Sequence, residues 1–473
     1  MQFLRLSNYQ KVPYNKIGRH VRVLSFTYMK LLLILPQNKR SYWGGVSKSG
    51  KAGFVRLNLP TLAGLTPKEW DVEILDARVK PVDYDADVDL VGITGFTAEM
   101  PSAYSIADNF RKKGRKVVMG GVHVSALPDE ALLHADAVVI GEAELVWHKL
   151  LSDFKNGELK PKYRADKLCD MKNMVIPRRD LHDRGMYSSF YTLQATRGCP
   201  FNCDYCAVTA FFGNKFRVRP VGDVIEEIKG FDTKEFFFMD DNIVGRLRYA
   251  KELFTKLIPL KLRWGSQASI TMAKDTELLR LYAESGGKYA FIGFESLSQK
   301  NLEKMNKGWN SAEGYKDAIQ RIHDAGINIV GSFVFGLDED DKTVFKNTFD
   351  FIMETRLDAA QFHILTPLPG TATYDLLEKE GRIIDRNWGK YHTGEVVFKP
   401  KGMTSEELQN GYYWIFRNTY TIKNILKRSF RSYEGIIYRL AANLSYRNKA
   451  LKMPEIFRTH LRGILPLINQ ADY

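Results

Sequence analysis

Between Lys30 and Gly157 the chain repeats one alternation, a short unbroken apolar run, a turn, then an apolar stripe at helical spacing. The runs KLLLILP, DVEILDA, DLVGITGF, KVVMGG and AVVIGE are continuous in Val, Ile and Leu rather than alternating, the pattern of parallel strands covered on both faces. SAYSIADNFRKKG and ELVWHKLLSDFKNG read as helices that stop at glycine. This order predicts a Rossmann-like, doubly wound α/β domain over residues 29–157, with its ligand outside the carboxyl ends of the strands. The loops at those ends hold Gly95, Gly120, Gly121 and Gly141 without G-x-G-x-x-G spacing. A dinucleotide is therefore not expected, and the loops suit another large, flat or phosphate-bearing ligand that needs the backbone close.

The period lapses over residues 158–190, which read as a linker. It resumes in YTLQATRG, EFFFMDDN, RWGSQASI, YAFIGFES, INIVGSFVFGL and QFHILTP, separated by helical stretches such as VGDVIEEIKG and YKDAIQRIHDAG. Six βα units over residues 191–375 are too few to close an eight-stranded barrel and predict an open, partial (β/α)6 TIM barrel. Residues 376–473 read as a mostly helical extension. Residues 1–28 lack patterned hydrophobicity and are expected to be an extension upstream of a natural start at Met29.

Composition adds limits. Of the 473 residues 44% are hydrophobic and 26% charged, as in ordinary globular proteins, and no apolar run approaches the ~20 residues of a membrane span. The net charge of +14 is concentrated at the ends: +5 in residues 1–28 and +7 in residues 421–473, leaving +2 between. A near-neutral middle argues against a nucleic-acid partner. In the tail the basic residues interleave with Ile425, Leu426, Phe430, Ile436, Ile437, Tyr438, Leu440, Phe457, Leu461 and Ile464, a mixture suited to peripheral contact with anionic lipid. Four cysteines make no disulfide framework and point to the cytoplasm.

Three of those four, Cys199, Cys203 and Cys206, crowd into RGCPFNCDYC. Three thiolates on one loop can wrap one face of a metal centre. Zinc would want a fourth ligand, which Cys169 or a His could supply; a cubane iron–sulfur cluster can leave one iron open to a substrate.

The C-x3-C-x-aromatic-C spacing, complete with Tyr205, resembles that of radical S-adenosylmethionine (SAM) enzymes, and the likeness runs from about Tyr191 to Tyr374. It implies a 4Fe-4S cluster on Cys199, Cys203 and Cys206, with SAM chelating the unique iron. It further implies Tyr205 against the adenine, Asp240, Asp241 and Asn242 near the SAM amino group, and Gln267, Ser269 and Glu295 near its other polar groups. Asp240-Asp241-Asn242 stands where Gly-Gly-Glu is more usual. The first half resembles the cobalamin-binding domain of one large subclass. Gly95-Phe96-Thr97, Gly120-Gly121, His123, Gly141-Glu142 and Glu144 fall where that subclass contacts the corrin and its nucleotide tail. The segment QNKRSYWGG after the first strand lacks the D-x-H-x-x-G that supplies a cobalt-ligating His. A literal match, Asp180 to Gly185 with His182, lies beyond the sheet and is read as coincidence.

The tail segment GMTSEELQNGYYWIFRNTY resembles the extension of a group that includes hopanoid methylases. The resemblances together imply a cobalamin-dependent radical SAM enzyme that methylates an unactivated carbon of a lipid-like substrate and is fed electrons by a flavodoxin or ferredoxin. Oxidative cyclisation of the anaerobic magnesium-protoporphyrin ester cyclase type, and a non-catalytic cobalamin sensor, are the alternatives.

Overall fold

The computed structural model describes residues 28–38, 50–432 and 435–453. The expected amino-terminal extension, most of QNKRSYWGG, and Phe457, Leu461 and Ile464 lie outside the described residues.

The first half is a parallel six-stranded sheet in the order Trp70–Asp76, Met29–Leu35, Leu90–Thr94, Lys116–Gly120, Ala137–Ile140, Lys162–Arg164. The chain builds first to one side of Met29–Leu35 and then to the other, which opens a crevice at the strands' carboxyl ends. Both faces are covered, as the unbroken apolar runs require. Trp147 and Leu150 of the helix Trp147–Lys155 pack on Leu31 and Leu33. Phe110 of Met100–Lys112 packs on the opposite face with Leu32 and Ile34.

Residues 158–190 are more than a linker. Lys162–Arg164 adds the sixth strand, and Tyr187–Ser189 pairs in parallel with Ala52–Phe54. Strands of three residues are too short to print a period in the sequence.

The second half is a curved sheet of six parallel strands taken in chain order: Thr192–Leu193, Glu235–Phe238, Arg263–Ala268, Gly287–Glu295, Asn328–Phe335, Ala359–Ile364. Its first and last strands do not pair, so the barrel is open. The first strand is shorter than YTLQATRG suggests because Thr196–Arg197 leaves the sheet to pair antiparallel with Arg217–Val218. That small hairpin carries the cysteine loop. The helix Ala372–Lys379 runs across the expected domain boundary at 376.

Three helices, Ser405–Thr419, Ile422–Ser429 and Ile436–Ala450, follow. They cover the open edge at the last strand with side chains in place of a seventh strand. The Tyr420 hydroxyl accepts from the Ala360 amide at 3.0 Å and donates to the Ala360 carbonyl. Arg428 donates to the Leu357 carbonyl at 3.0 Å, and Asn443 to the Asp358 carbonyl at 2.7 Å. The other edge is covered from the first half: Thr192 Oγ1 donates to the Val55 carbonyl at 2.9 Å, and Phe54 packs on Phe237 with ring centroids 5.1 Å apart. Of the tail's apolar residues, Ile425 is buried, whereas Leu426, Phe430, Ile437 and Tyr438 are exposed.

Candidate functional site

The cysteine loop starts at Gly198, where a glycine is required: φ is +84° and a Cβ would stand 2.1 Å from the Lys215 carbonyl oxygen. Cys203 and Cys206 are joined through the backbone at 3.1 Å, and Cys206 opens the helix Ala207–Phe212. Burial raises all three thiols, Cys203 to about 12, so as bare thiols they stay protonated and a metal centre is what turns them into thiolates. Zinc on three thiolates at about 2.3 Å would need its sulfurs roughly 4 Å apart. It would also want a fourth protein ligand, and the fourth thiol, Cys169, is held by Glu142 instead.

The acidic stretch at the end of Glu235–Phe238 divides its work. Asp240 is fully buried and faces the first strand, accepting from Ala195 N at 3.2 Å, from Thr196 N, and from Thr196 Oγ1 at 2.5 Å. Burial pushes its carboxyl up to about 7. Both oxygens are committed to the strand, so Asp240 braces the site rather than facing SAM. Asp241 accepts from Gly198 N at 2.8 Å and so holds the start of the loop. Asn242 stands between the cysteines and the third strand, with Nδ2 3.9 Å from Cys199 Sγ and Oδ1 accepting from Ser269 N at 3.1 Å. Gln267 is exposed on the inner face of the barrel, and Ser269 is buried against Thr271. Tyr205 donates to Glu295 at 3.1 Å, and the same oxygen receives Lys307 at 2.7 Å. Lys307, which the motif reading missed, makes this a buried three-residue set beside Cys203.

A cavity of about 770 Å³ separates the two halves. Gly95, Phe96, Thr97, Gly120, Gly121, Gly141, Glu142 and Glu144 line it from the first half, and Arg197, Ala207, Phe211 and Asp241 from the cysteine side. Gly121 has φ +106°, and a Cβ there would lie 2.7 Å from Thr94 Oγ1, so the backbone itself is the wall. A smooth, glycine-floored crevice at a switch point fits a large flat cofactor such as a corrin.

His123 does not fit that role. It is buried away from the cavity, with Nδ1 3.3 Å from Thr97 Oγ1 and Nε2 3.4 Å from Glu130. Glu130 also accepts from Tyr104 at 2.7 Å and from Trp388 Nε1 at 2.9 Å. His123 thus belongs to the anchor that pins residues after the barrel onto the first half. His182 likewise does not line the cavity; its Nδ1 is 2.9 Å from the Tyr187 hydroxyl, which donates to Asp76 at 2.9 Å.

Glu142 and Glu144 line the cavity but their carboxylates are bound to arginines of the cysteine hairpin. Arg197 Nη1 donates to Glu142 at 2.6 Å and to Glu144 at 2.7 Å, and Arg217 donates to Glu142 at 2.8 Å. The Cys169 amide donates to Glu142 at 2.7 Å. The ligand atoms of Glu142, Glu144 and Cys169 lie within 4.8 Å of one another, yet Arg197 Nη1, also 3.4 Å from Cys169 Sγ, occupies the place a cation would take. Burial raises the Cys169 thiol to about 12, which keeps it inert.

Residues 193–352 match the Radical SAM superfamily, residues 54–151 the B12 binding domain, and residues 371–463 a domain of unknown function. The chain is 35% identical over 413 residues to the bacteriochlorophyllide d C-12(1)-methyltransferase of Chlorobaculum tepidum, covering 84% of this chain and 89% of that protein. It is 31% identical over 448 residues to the bacteriochlorophyllide d C-8(2)-methyltransferase of the same organism, covering 89% and 99%. Among solved structures, the radical SAM methyltransferase TsrM from Kitasatospora setae, with cobalamin and a 4Fe-4S cluster bound, superposes with a TM-score of 0.63 at 14% identity, over 90% of this chain and 100% of that one. At that identity the likeness carries the fold alone.

Proposed function

Because the chain belongs to the radical SAM enzymes that carry a B12-binding domain, we propose that it is a methyltransferase acting on an unactivated carbon of a large, mostly apolar, ring-bearing molecule. A chlorin of the bacteriochlorophyllide kind comes ahead of the polycyclic lipid suggested by the sequence, since relatives that act on bacteriochlorophyllide d match over nearly their whole length. The observation that carries the reading is the single cavity lined both by the glycine loops and by the helix that Cys206 opens. It supports two cofactors serving one substrate.

When bound, the cluster with SAM supplies one-electron activation of a C–H bond, and cobalamin supplies the methyl group. The chain's own residues do the holding. Cys199, Cys203 and Cys206 ligate the cluster; Asp241 fixes the loop through Gly198 N; and Asn242, Gln267, Ser269, Tyr205 and Glu295 frame the SAM side of the barrel. Lys307 orients Glu295 by its 2.7 Å contact. Gly95, Gly120, Gly121 and Gly141 admit the corrin, and Phe96 and Thr97 flank it. Enclosure by two domains excludes water, without which a reactive carbon centre would be quenched. Electrons come from a flavodoxin or ferredoxin. The exposed Phe430 and Ile437, set among basic residues, make the tail a peripheral contact with an anionic membrane in the cytoplasm.

The test is anaerobic reconstitution with iron, sulfide, cobalamin and SAM, followed by incubation with bacteriochlorophyllide d under reduction. A product heavier by one methylene group is expected. A product that has only lost hydrogen would favour oxidative cyclisation, and failure to cleave SAM would favour a sensor.

A further inference from the structure

Along the inner face of the barrel, Gln267, Phe237, Phe291, Gln361 and His363 are partly or largely exposed, so the barrel interior is open. Side chains alternate along a strand, so in Ala359–Ile364 the buried Phe362 and Ile364 face the outer helices while Gln361 and His363 turn inward. His363 lies deep in the protein yet remains partly open to solvent, as a residue lining an internal chamber does. Its Nδ1 is 2.9 Å from Thr393 Oγ1, and Thr393, held at φ 66°, also lines the large cavity. A β-branched residue in the left-handed region is strained, and such strain gathers at binding sites. Gln361 Nε2 donates to the Tyr446 hydroxyl at 2.7 Å. Tyr446 belongs to Ile436–Ala450, so the domain of unknown function reaches round the open edge and into the barrel. From the second and fourth strands the interior is walled by Phe237 and Phe291, partly exposed, with ring centroids 5.4 Å apart and planes at 85°.

We propose that the last barrel strand and the C-terminal domain together form a substrate-recognition wall: Gln361 and His363 of the strand and Tyr446 of the domain take hydrogen-bonding groups on the rim of a flat apolar ring system that packs against the T-shaped pair Phe237 and Phe291. The assignment rests on the ring-bearing substrate proposed above. Aromatic faces with a few placed polar groups suit such a molecule, since the rings supply most of the burial and the polar groups fix its orientation. At the open edge the Tyr420 hydroxyl serves Ala360 and the Thr393 carbonyl takes the Ile364 amide at 2.8 Å, so no complete strand seals the gap. A seventh strand would seal the gap with backbone, whereas helices can send one long polar side chain through it.

The probe is chlorophyllide a, titrated into anaerobically reconstituted full-length protein and followed by its fluorescence. Wild type is expected to bind it. Gln361→Leu and Tyr446→Phe, which leave the stacking of Tyr446 on Tyr420 in place, should each bind about fivefold to tenfold more weakly at wild-type iron content. Tyr438→Phe, on the exposed side of the same helix, should match wild type. If wild type ignores chlorophyllide a, the ring-substrate reading falls and this assignment with it. If wild type binds and both wall variants bind equally well, the wall assignment is overturned while the substrate reading stands.

Discussion

Arg197 joins Glu142 through a single guanidinium nitrogen at 2.6 Å, which clamps the residue two positions before Cys199 to a strand end of the other domain. Both side chains are nearly inaccessible to water, so neither charge has an alternative partner in solvent. The cysteine loop and the glycine-floored crevice are therefore held in one frame.

Glu142→Gln should reveal that frame. It leaves Arg197 and Arg217 facing a neutral amide, and breaking a buried pair costs about 3–5 kcal/mol. A lower denaturation midpoint together with faster loss of iron from the reconstituted protein is expected. Wild-type values for both would mean that Glu144 alone holds the loop.

Gly121→Leu should weaken cobalamin binding by about tenfold or more, because a side chain there needs a left-handed backbone and projects into the crevice. Absorbance titration with hydroxocobalamin reads this directly. Unchanged affinity would move the corrin off this loop.

His182→Phe should leave the cobalamin spectrum unchanged while altering the pH dependence of stability. Burial lowers the imidazole to about 4, with Asp76 opposing and Arg78 adding to the effect. The folded protein therefore binds this proton more weakly than the unfolded chain does. Stability is complete above pH 6.5 and falls as pH drops from 6.5 toward 4. Urea midpoints across that range should fall less steeply in the variant.

Tyr420→Phe removes the hydroxyl that serves both backbone groups of Ala360 and should cost about 1–3 kcal/mol, read by chemical denaturation. No change would mean that water replaces the hydroxyl at this edge.

The tail should bring the protein down with anionic liposomes at low salt and release it at high salt, since each basic residue near such a surface contributes about 1 kcal/mol. Ile437→Asp combined with Phe430→Asp should weaken sedimentation, because both residues are exposed. Indifference of the wild type to such vesicles would remove the membrane contact.

The cysteine centre was legible because its chemistry is local: three thiols within RGCPFNCDYC need no tertiary information to be recognised. The strands were legible because burial on both faces leaves an unbroken apolar signature. The partners of the carboxylates were not. Arg197 and Arg217 meet Glu142 across 55 and 75 residues, and nothing near either arginine announces it. Asp240 and Asp241 are neighbours in sequence, but in the turn after Phe238 one faces back toward Thr196 and the other lines the cavity. His123 sits where a loop contact was expected and turns the other way, because Glu130 and Trp388 offer it a buried place.

The two barrel edges are covered by opposite ends of the chain, and this sets an order on biosynthesis. Val55 has already been made when Thr192 leaves the ribosome, so the first strand finds its cover waiting. The last strand, Ala359–Ile364, has no such partner until Thr393 takes the Ile364 amide and Tyr420, Arg428 and Asn443 follow. Over that interval its outer edge offers unpaired amides and carbonyls to any neighbouring chain. A transcript cut short between these points would yield a barrel with Cys199, Cys203 and Cys206 in place and a sticky flank, prone to associate edge to edge.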